Sequence, residues 1–224
     1  MTAQRALSGN ALAALWEHGY VKLTSFATAD EVRFLRELND DFTRRSSELA
    51  ATDVTRQHGV VSQIKKPYRY ASALLELAYF QLVVESAKRI LDAPYLSFAD
   101  EFLPKPPRWG RAVPLHQDRP HLPSERPSMV TFWLALDSTD PANGCMRYVP
   151  RSHLGPPLAF RYDEPNPLRD RLEDEATDCP CEPGDVLAHL ANTLHGSGRN
   201  CSERTRRCYV IDASREQSPR HLWL

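Results

Sequence analysis

The sequence lacks an excess of either charge. Its 224 residues include 28 lysines and arginines against 29 aspartates and glutamates, a formal net charge of −1. A protein that binds nucleic acid or an anionic membrane surface through its overall field carries a surplus of basic side chains. The composition therefore predicts neither nucleic acid nor a membrane surface as a partner.

Long hydrophobic runs are also absent. No stretch approaches the roughly 20 consecutive apolar residues of a membrane-spanning helix, and residues 1–5 lack the basic start and apolar block of a signal peptide. The chain has five cysteines, an odd and small number, which argues against a disulfide framework. We therefore expect a cytoplasmic protein whose cysteines are all free thiols.

Hydrophobic spacing predicts helices in the first part of the chain. It indicates a helix over residues 11–18 with Asn10 as its N-cap. The sequence Thr28-Ala29-Asp30-Glu31 has the capping-box pattern and predicts a second helix that runs to about residue 49. Residues 72–80 and 81–91 are predicted as two further helical pieces.

Short strands dominate from about residue 95. The stretch 128–137 is apolar at nearly every position, which predicts a strand buried on both faces. Helices followed by strands indicate an α+β protein, helical over about 1–92 and a sandwich or barrel over about 95–213. The length suits a single domain. The predicted strands cover residues 20–23, 95–103, 128–137, 144–150, 186–191 and 206–213.

The most informative stretch is Pro114-Leu115-His116-Gln117-Asp118. His116 and Asp118 are two residues apart, so on an extended strand their side chains project from one face. His195 can supply a third donor from a later strand. Two histidines and a carboxylate form the facial set that suits non-haem Fe(II) and leaves positions open for a cosubstrate and O2. Each motif taken singly also fits a histidine that only hydrogen-bonds a loop.

Arg206 follows His195 by eleven residues and opens the last predicted strand. A guanidinium binds a carboxylate through two parallel hydrogen bonds, as a dicarboxylate cosubstrate requires. The alternative is a surface arginine in a basic run with Arg204 and Arg207. His189 either points toward the site or is an ordinary hydrogen-bonded core histidine. A metal-dependent hydrolase on a cupin-like barrel, or a barrel that only binds a small molecule, would fit the same three ligands.

Several motifs occur together in a fixed order, and over roughly residues 95–213 they resemble the phytanoyl-CoA dioxygenase family of Fe(II)/2-oxoglutarate-dependent oxygenases. The matching pieces are Lys105-Pro106-Pro107, Leu115-His116-Gln117-Asp118, Trp133-Leu134-Ala135-Leu136-Asp137, Asn143-Gly144-Cys145-Met146, Val149-Pro150-Arg151-Ser152-His153, Pro183-Gly184-Asp185 and His195-Gly196-Ser197-Gly198-Arg199-Asn200 with Arg206.

The resemblance implies a double-stranded β-helix, a cupin-like jelly roll with N-terminal and flanking helices. It implies Fe(II), 2-oxoglutarate and O2 as the reactive partners. Lys65 is a candidate to assist the cosubstrate, the alternative being a solvated surface lysine. The resemblance further implies that Fe(II) is bound by His116, Asp118 and His195, and that 2-oxoglutarate is bound by Arg206 and bordered by Trp133.

The implied reaction decarboxylates 2-oxoglutarate to succinate and CO2 and hydroxylates an unactivated C–H bond of a small molecule, which we place in specialised metabolism. Relatives that halogenate usually lack a carboxylate at the position of Asp118, so its presence favours hydroxylation. Desaturation, ring closure and epimerisation stay open.

The substrate is not specified by these motifs. Residues 51–62 are polar and without a strong period, which predicts a surface loop or a mobile cover over the site. Arg119 and His121 follow Asp118 closely and are candidates for substrate contact. The arginines expected around the entrance suit an anionic group such as a carboxylate or phosphate, although solvated loops are equally often basic. These arginines are Arg108, Arg111, Arg119 and Arg126.

Overall fold

The structure is a computed structural model that describes residues 7–119, 126–158, 167–216 and 222–223. Three of the four helices lie before residue 92 as predicted, but a two-stranded hairpin within residues 54–65 also lies in this part, which was predicted as helical, and the fourth helix lies among the later strands. The helices are α1 (Gly9–His18), α2 (Ala29–Arg44), α3 (Ala78–Leu91) and α4 (Pro167–Glu175). The strands are β1 (Tyr20–Leu23), β2 (Val54–Gln57), β3 (Val60–Lys65), β4 (Ser97–Phe102), β5 (Val113–His116), β6 (Met129–Ala135), β7 (Met146–Tyr148), β8 (Thr177–Cys179), β9 (Val186–Leu190), β10 (His195–Ser197), β11 (Cys208–Ser214) and β12 (Leu222–Trp223).

Two antiparallel sheets form the jelly roll. The larger has the order β1-β9-β6-β11-β4-β3-β2, with β12 also pairing β4, and the smaller has the order β5-β10-β7-β8. The sheets face each other without closing into a barrel. This arrangement confirms the α+β class and the cupin-like jelly roll.

The centre of the larger sheet is buried on both faces, as predicted for residues 128–137. Every residue of β6 is buried. On β11, Tyr209 and Ile211 pack into the core shared with the helices. Val210, between them, packs with Trp133 and Tyr148 in a second cluster between the sheets. Alternation along a strand thus separates a helix-covered core from the space in which the site lies.

The capping-box prediction for α2 is confirmed in its start and wrong in its end. Thr28 Oγ1 accepts the Glu31 N–H, and the Glu31 side chain accepts the Thr28 N–H. The helix ends at Arg44 rather than near residue 49. Two serines follow Arg45, and Arg45 folds its side chain back onto Asp41. Serine competes with the helical backbone for hydrogen bonds, so the chain turns here.

Two other helix predictions are wrong in detail. The N-cap of α1 is Ser8, whose hydroxyl accepts the Ala11 N–H, and not Asn10, which lies inside the helix. Residues 72–76 form a 3-10 turn instead of an α-helix. The continuous helix Ala78–Leu91 spans the predicted break at residue 80, because its buried face continues through that point.

The segment 51–62 is not a loop, since most of it lies in the hairpin of β2 and β3, and this hairpin borders the cavity described below. The turn contains His58 at φ 51° and Gly59 at φ 80°, and two such residues suit the tight turns of hairpins. The strand pattern was missed because this hairpin lies at a sheet edge and turns polar side chains toward the cavity. Among the helices described, none is long and apolar enough to cross a membrane.

Candidate active site

A cavity of about 470 Å³ lies between the two sheets. Its walls combine the three predicted metal ligands with residues from at least five other elements. The hairpin contributes polar side chains, while β6 and β11 contribute the deeper wall. The described lining residues include Thr55, Gln57, Gln63, Glu101, Leu103, Lys105, Arg111, His116, Asp118, Thr131, Trp133, Met146, His189, His195, Ser197, Arg206, Val210 and Asp212.

The structure brings the three predicted ligands together. His116 ends β5 and His195 begins β10, and the two residues are direct partners in the antiparallel register. One ligand atom from each of His116, Asp118 and His195 lies within 4.8 Å of the others. His195 is buried, whereas His116 and Asp118 are partly open to solvent; their side-chain exposures are 5%, 19% and 23%. These residues could hold a metal ion.

Backbone carbonyls orient both imidazoles. His116 Nδ1 lies 3.0 Å from the Pro114 carbonyl oxygen, and His195 Nδ1 lies 2.9 Å from that of Thr193. A carbonyl accepts only, so in each neutral ring Nδ1 carries the proton and Nε2 keeps its lone pair. Both Nε2 atoms face Asp118 Oδ1, at 3.5 Å and 3.6 Å. Three donor atoms therefore converge.

The electrostatics favour the metal-binding protonation states of Asp118 and His195, whereas for His116 burial is outweighed by the hydrogen bond and attraction to Asp118, which raise its pKa. Burial would raise the pKa of Asp118, but attraction to His195 and hydrogen bonds with His116 and His189 hold it well below its ordinary value. Burial and the neighbouring His189 ring lower the pKa of His195 well below its usual range. A metal binds carboxylate and neutral imidazole, so the aspartate and His195 already have the required forms.

Arg206 lines the cavity and is 2% exposed. It lies just before β11, where its backbone pairs with Lys105. Its Nη1 is 3.1 Å from Cys208 Sγ, and its guanidinium carbon lies 5.3 Å from the centre of the Trp133 ring. Among the described residues no acceptor contacts its buried Nε. A buried donor left unpaired is costly, so this arginine fits an anionic ligand.

Lys65 and Lys105 differ from the sequence prediction. Lys65 pairs with Glu101 in the sheet and is not among the described lining residues. Lys105 is, and its Nζ donates to Ser197 Oγ (2.8 Å), the Gly198 carbonyl (2.5 Å) and the Arg111 carbonyl (2.9 Å). Burial, with Arg206 nearby, lowers the pKa of Lys105 to about 7. The Lys105-Pro106-Pro107 motif contributes to the family resemblance, but no role was predicted for this lysine from the sequence.

Ser197 is a second lining residue that sequence reasoning missed. It follows His195 by two positions on β10 and therefore shares its face. The period-two rule that linked His116 to Asp118 could have identified it. His189, left open between two roles, combines them: it lines the cavity and is hydrogen-bonded to Asp118 at 3.1 Å.

The predicted substrate contacts receive little structural support. Arg119 pairs with the Glu216 carboxylate and does not line the described cavity, and His121 lies outside the described residues. Two other entrance arginines are also ion-paired, Arg108 with Glu203 at 2.6 Å and Arg126 with Asp92 at 3.0 Å. Arg111 lines the cavity, with its guanidinium 2.9 Å from His58 Nε2 on the hairpin turn.

Comparisons with known proteins support the same kind of active site. The sequence profile of the phytanoyl-CoA dioxygenase (PhyH) family matches residues 15–208. A probable alpha-ketoglutarate-dependent hypophosphite dioxygenase of Stutzerimonas stutzeri is 28% identical over 214 residues, covering 87% of this chain and 74% of that protein. The peroxisomal phytanoyl-CoA dioxygenase of Rattus norvegicus is 23% identical over 215 residues, covering 85% of this chain and 63% of that protein.

A solved structure of similar fold also supports a 2-oxoglutarate-dependent enzyme. The crystal structure of EvdO2 from Micromonospora carbonacea var. aurantiaca, complexed with 2-oxoglutarate, is similar with a TM-score of 0.74 at 25% identity, covering 96% of each chain. Sequence profile, fold and convergent ligand set lead to one conclusion. The chain belongs to the phytanoyl-CoA dioxygenase family of Fe(II)/2-oxoglutarate-dependent dioxygenases.

Proposed function

We propose that this protein hydroxylates an unactivated C–H bond of a small molecule, with 2-oxoglutarate decarboxylated to succinate and CO2, and that the chain acts as one catalytic domain. One observation carries the proposal. The convergent donors of His116, Asp118 and His195 share a cavity with Arg206, whose buried Nε has no acceptor among the described residues. The similarity to a probable alpha-ketoglutarate-dependent dioxygenase and to EvdO2 complexed with 2-oxoglutarate supports 2-oxoglutarate as the cosubstrate.

The donor set fits Fe(II). Two imidazoles and one carboxylate on one face are typical of non-haem Fe(II) oxygenases and leave positions open for other ligands. His116 and His195 would bind through Nε2, since each Nδ1 is held by a backbone carbonyl. When bound, Fe(II) supplies the oxidising chemistry with O2 and 2-oxoglutarate, while the protein supplies position and a dry cavity.

The part of the cavity around Arg206 fits the distal carboxylate of 2-oxoglutarate. Arg206 presents a buried planar donor group, and charge-assisted bonds of this kind are among the strongest in proteins. The Ser197 hydroxyl accepts from Lys105 Nζ, so its own proton is available for a second acceptor. Lys105 would thus position Ser197 beside Arg206. Trp133 borders the same space.

The cavity walls also limit where an anionic substrate group would lie. Arg111 is at the mouth, whereas the carboxyl groups of Glu101 and Asp212 line the interior. In this proposal Arg206 binds the cosubstrate, so Arg111 is the cationic side chain at the mouth that is left for a substrate anion. We expect an anionic group of the substrate to stay near Arg111, and the C–H bond to approach the ligands from that side. A role in specialised metabolism and a cytoplasmic location stay predictions.

An anaerobic titration tests the proposal. Apo-protein receives Fe(II) and then 2-oxoglutarate while the visible spectrum is recorded. We expect a metal-to-ligand charge-transfer band in the wild type and none in His116→Ala, because one of three ligands is lost. Iron binding without a band would make the hydrolase interpretation the better one. No iron binding at all would leave a barrel that only binds small molecules.

A further inference from the structure

His189 contacts the proposed metal site without belonging to the group of converging ligand atoms. It lies on β9 and is 1% exposed. Its Nε2 is 3.1 Å from Asp118 Oδ2, whereas His116 and His195 face Oδ1. The two oxygens of one carboxylate therefore face different partners.

The second ring nitrogen of His189 is also occupied. Its Nδ1 lies 3.0 Å from the Tyr148 hydroxyl. Tyr148 is fully buried and stacks on Tyr20, with ring centres 4.3 Å apart and planes within 9°. Burial raises the pKa of Tyr148 well above its ordinary value, so the phenol keeps its proton and can donate to Nδ1.

This contact determines the tautomer of a neutral His189. An imidazole that accepts at Nδ1 carries its proton on Nε2 and donates there. The hydrogen bonds then run in one direction, from Tyr148 to His189 and from His189 to Asp118 Oδ2. Such contacts orient metal ligands in many proteins.

The other side chain next to Asp118 Oδ2 is that of Thr131, which contacts two carboxyl groups. Thr131 Oγ1 is 3.1 Å from Asp118 Oδ2 and 2.8 Å from Asp212 Oδ1. A hydroxyl has a single proton and can donate to one carboxylate at a time. Thr131 is thus shared between two carboxyl groups, whereas His189 Nε2 has Asp118 as its acceptor.

We propose that His189, oriented by Tyr148, is a positioning residue that holds Asp118 Oδ2 so that Oδ1 alone is presented to the iron. The inference rests on the proposed function, because it takes Asp118 as an iron ligand. It adds a residue that acts through Asp118 and does not itself contact the metal. A carboxylate restrained at one oxygen loses less freedom when the other binds a cation, so the contact strengthens metal binding.

The test measures the dissociation constant of Fe(II) by anaerobic calorimetry on the full chain. In His189→Leu we expect binding about 10- to 100-fold weaker, as for other outer contacts of metal ligands. His189→Gln should restore most of the affinity, because its amide nitrogen can donate from nearly the same place. Tyr148→Phe keeps the stacked ring and removes only the hydroxyl, so a smaller loss is expected.

His153→Leu is the matched control. His153 is also buried, at 5% exposure, and its Nε2 lies 3.0 Å from the Trp16 carbonyl oxygen. Removing it disturbs packing without touching Asp118, so Fe(II) affinity should not change. Circular dichroism checks that each variant is folded. If His189→Leu does not fold, the Fe(II) affinities of the other two variants test the inference. His189→Gln should then bind Fe(II) nearly as tightly as the wild type, and Tyr148→Phe somewhat more weakly.

Two results would overturn the inference. One is a folded His189→Leu that binds Fe(II) as tightly as the wild type. The other is an equal loss in His189→Leu and His189→Gln, which would show that the ring's volume matters and its donor does not. Failure of the proposed function is distinct, because it would appear in the wild type itself, either as no Fe(II) binding or as Fe(II) binding without the charge-transfer band.

Discussion

Arg206 and Arg207 are adjacent in sequence and serve opposite sides of the larger sheet. Arg206 faces the cavity, while Arg207 bonds Asp40 of α2 and Asp137 beyond β6. Consecutive residues of extended chain point to opposite faces, so one arginine of the basic run lies in the cavity and the next lies on the helical side. The predicted anchor and the predicted surface arginine are neighbours.

Replacing Arg206 by lysine should weaken 2-oxoglutarate binding selectively. Lysine keeps the charge but lacks the planar two-nitrogen donor, and a charge-assisted hydrogen bond is worth roughly 1.5–3 kcal/mol. We expect the KM for 2-oxoglutarate to rise about 10- to 100-fold, with Fe(II) affinity unchanged. Steady-state kinetics and metal titration measure both.

Arg207→Lys is the control for that substitution. It makes the same chemical change on the opposite face, so the KM for 2-oxoglutarate should stay at the wild-type value even if stability falls. Equal KM values for wild type and Arg206→Lys would remove Arg206 as the anchor.

At the scale of elements, the metal site depends on how closely β5 and β10 approach. The partner residues His116 and His195 bring one ligand from each strand to the same point. Gly196 makes this approach possible: a Cβ there would lie 2.5 Å from the Val113 carbonyl oxygen and 3.2 Å from the Leu115 nitrogen. These are backbone atoms that cannot move aside alone.

Gly196→Ala should therefore separate the two strands and weaken Fe(II) binding by at least about tenfold, since ligand geometry is set by the scaffold. Gly198→Ala is the matched control, because its Cβ would meet its nearest neighbours at ordinary distances of 3.7 and 3.8 Å. Calorimetric titration of both variants compares them. Equal affinities in the two variants would contradict this role for Gly196.

The hairpin of β2 and β3 shows why an element can be missed from sequence. Strands that contact the core on one face alternate apolar and polar residues, but this hairpin lies at a sheet edge and borders a polar cavity. A row of hydrogen bonds runs from β2 through β3 to β4, joining Thr55 to Gln63 and Gln63 to Glu101. Its polarity reflects the cavity wall, which a single sequence does not reveal.

At the scale of the whole molecule, the larger sheet separates two environments. Asp100 and Glu101 are adjacent on β4, yet Glu101 faces the cavity and Asp100 is only 6% exposed on the helical side. Asp100 Oδ2 accepts from the Tyr209 hydroxyl at 2.6 Å, and no partner contacts Oδ1 among the described residues. Burial raises the pKa of Asp100 to about 7.

This carboxyl group should make the stability of the fold depend on pH. In an unfolded chain an aspartate has a pKa of about 3.9, so between about pH 4 and pH 7 the folded protein holds a proton that the unfolded chain releases. The contribution of Asp100 to the free energy of unfolding therefore decreases as pH rises through this window and levels off above it, by a few kcal/mol in order of magnitude.

Asp100→Asn isolates the effect, because the amide is neutral at all these pH values and can still accept from Tyr209. Urea unfolding of both proteins at intervals between pH 5 and pH 8 should show the variant gaining stability relative to the wild type as pH rises. Parallel profiles would contradict the raised pKa.

The sequence by itself determined the class of fold, the iron ligand candidates and the arginine. These depend on local spacing: period two relates His116 to Asp118, and long apolar stretches such as β6 indicate a doubly buried sheet. The order of the motifs along the chain was enough to indicate the family, which the match over residues 15–208 confirms.

Only the tertiary structure decided which polar residues share the cavity. Lys105 rather than Lys65 lies in it, and His189 contacts Asp118, which is 71 positions away in sequence. Such pairs depend on which strands become neighbours and in what register. That choice arises from burial summed over two whole sheets, a long-range property that local periodicity does not specify.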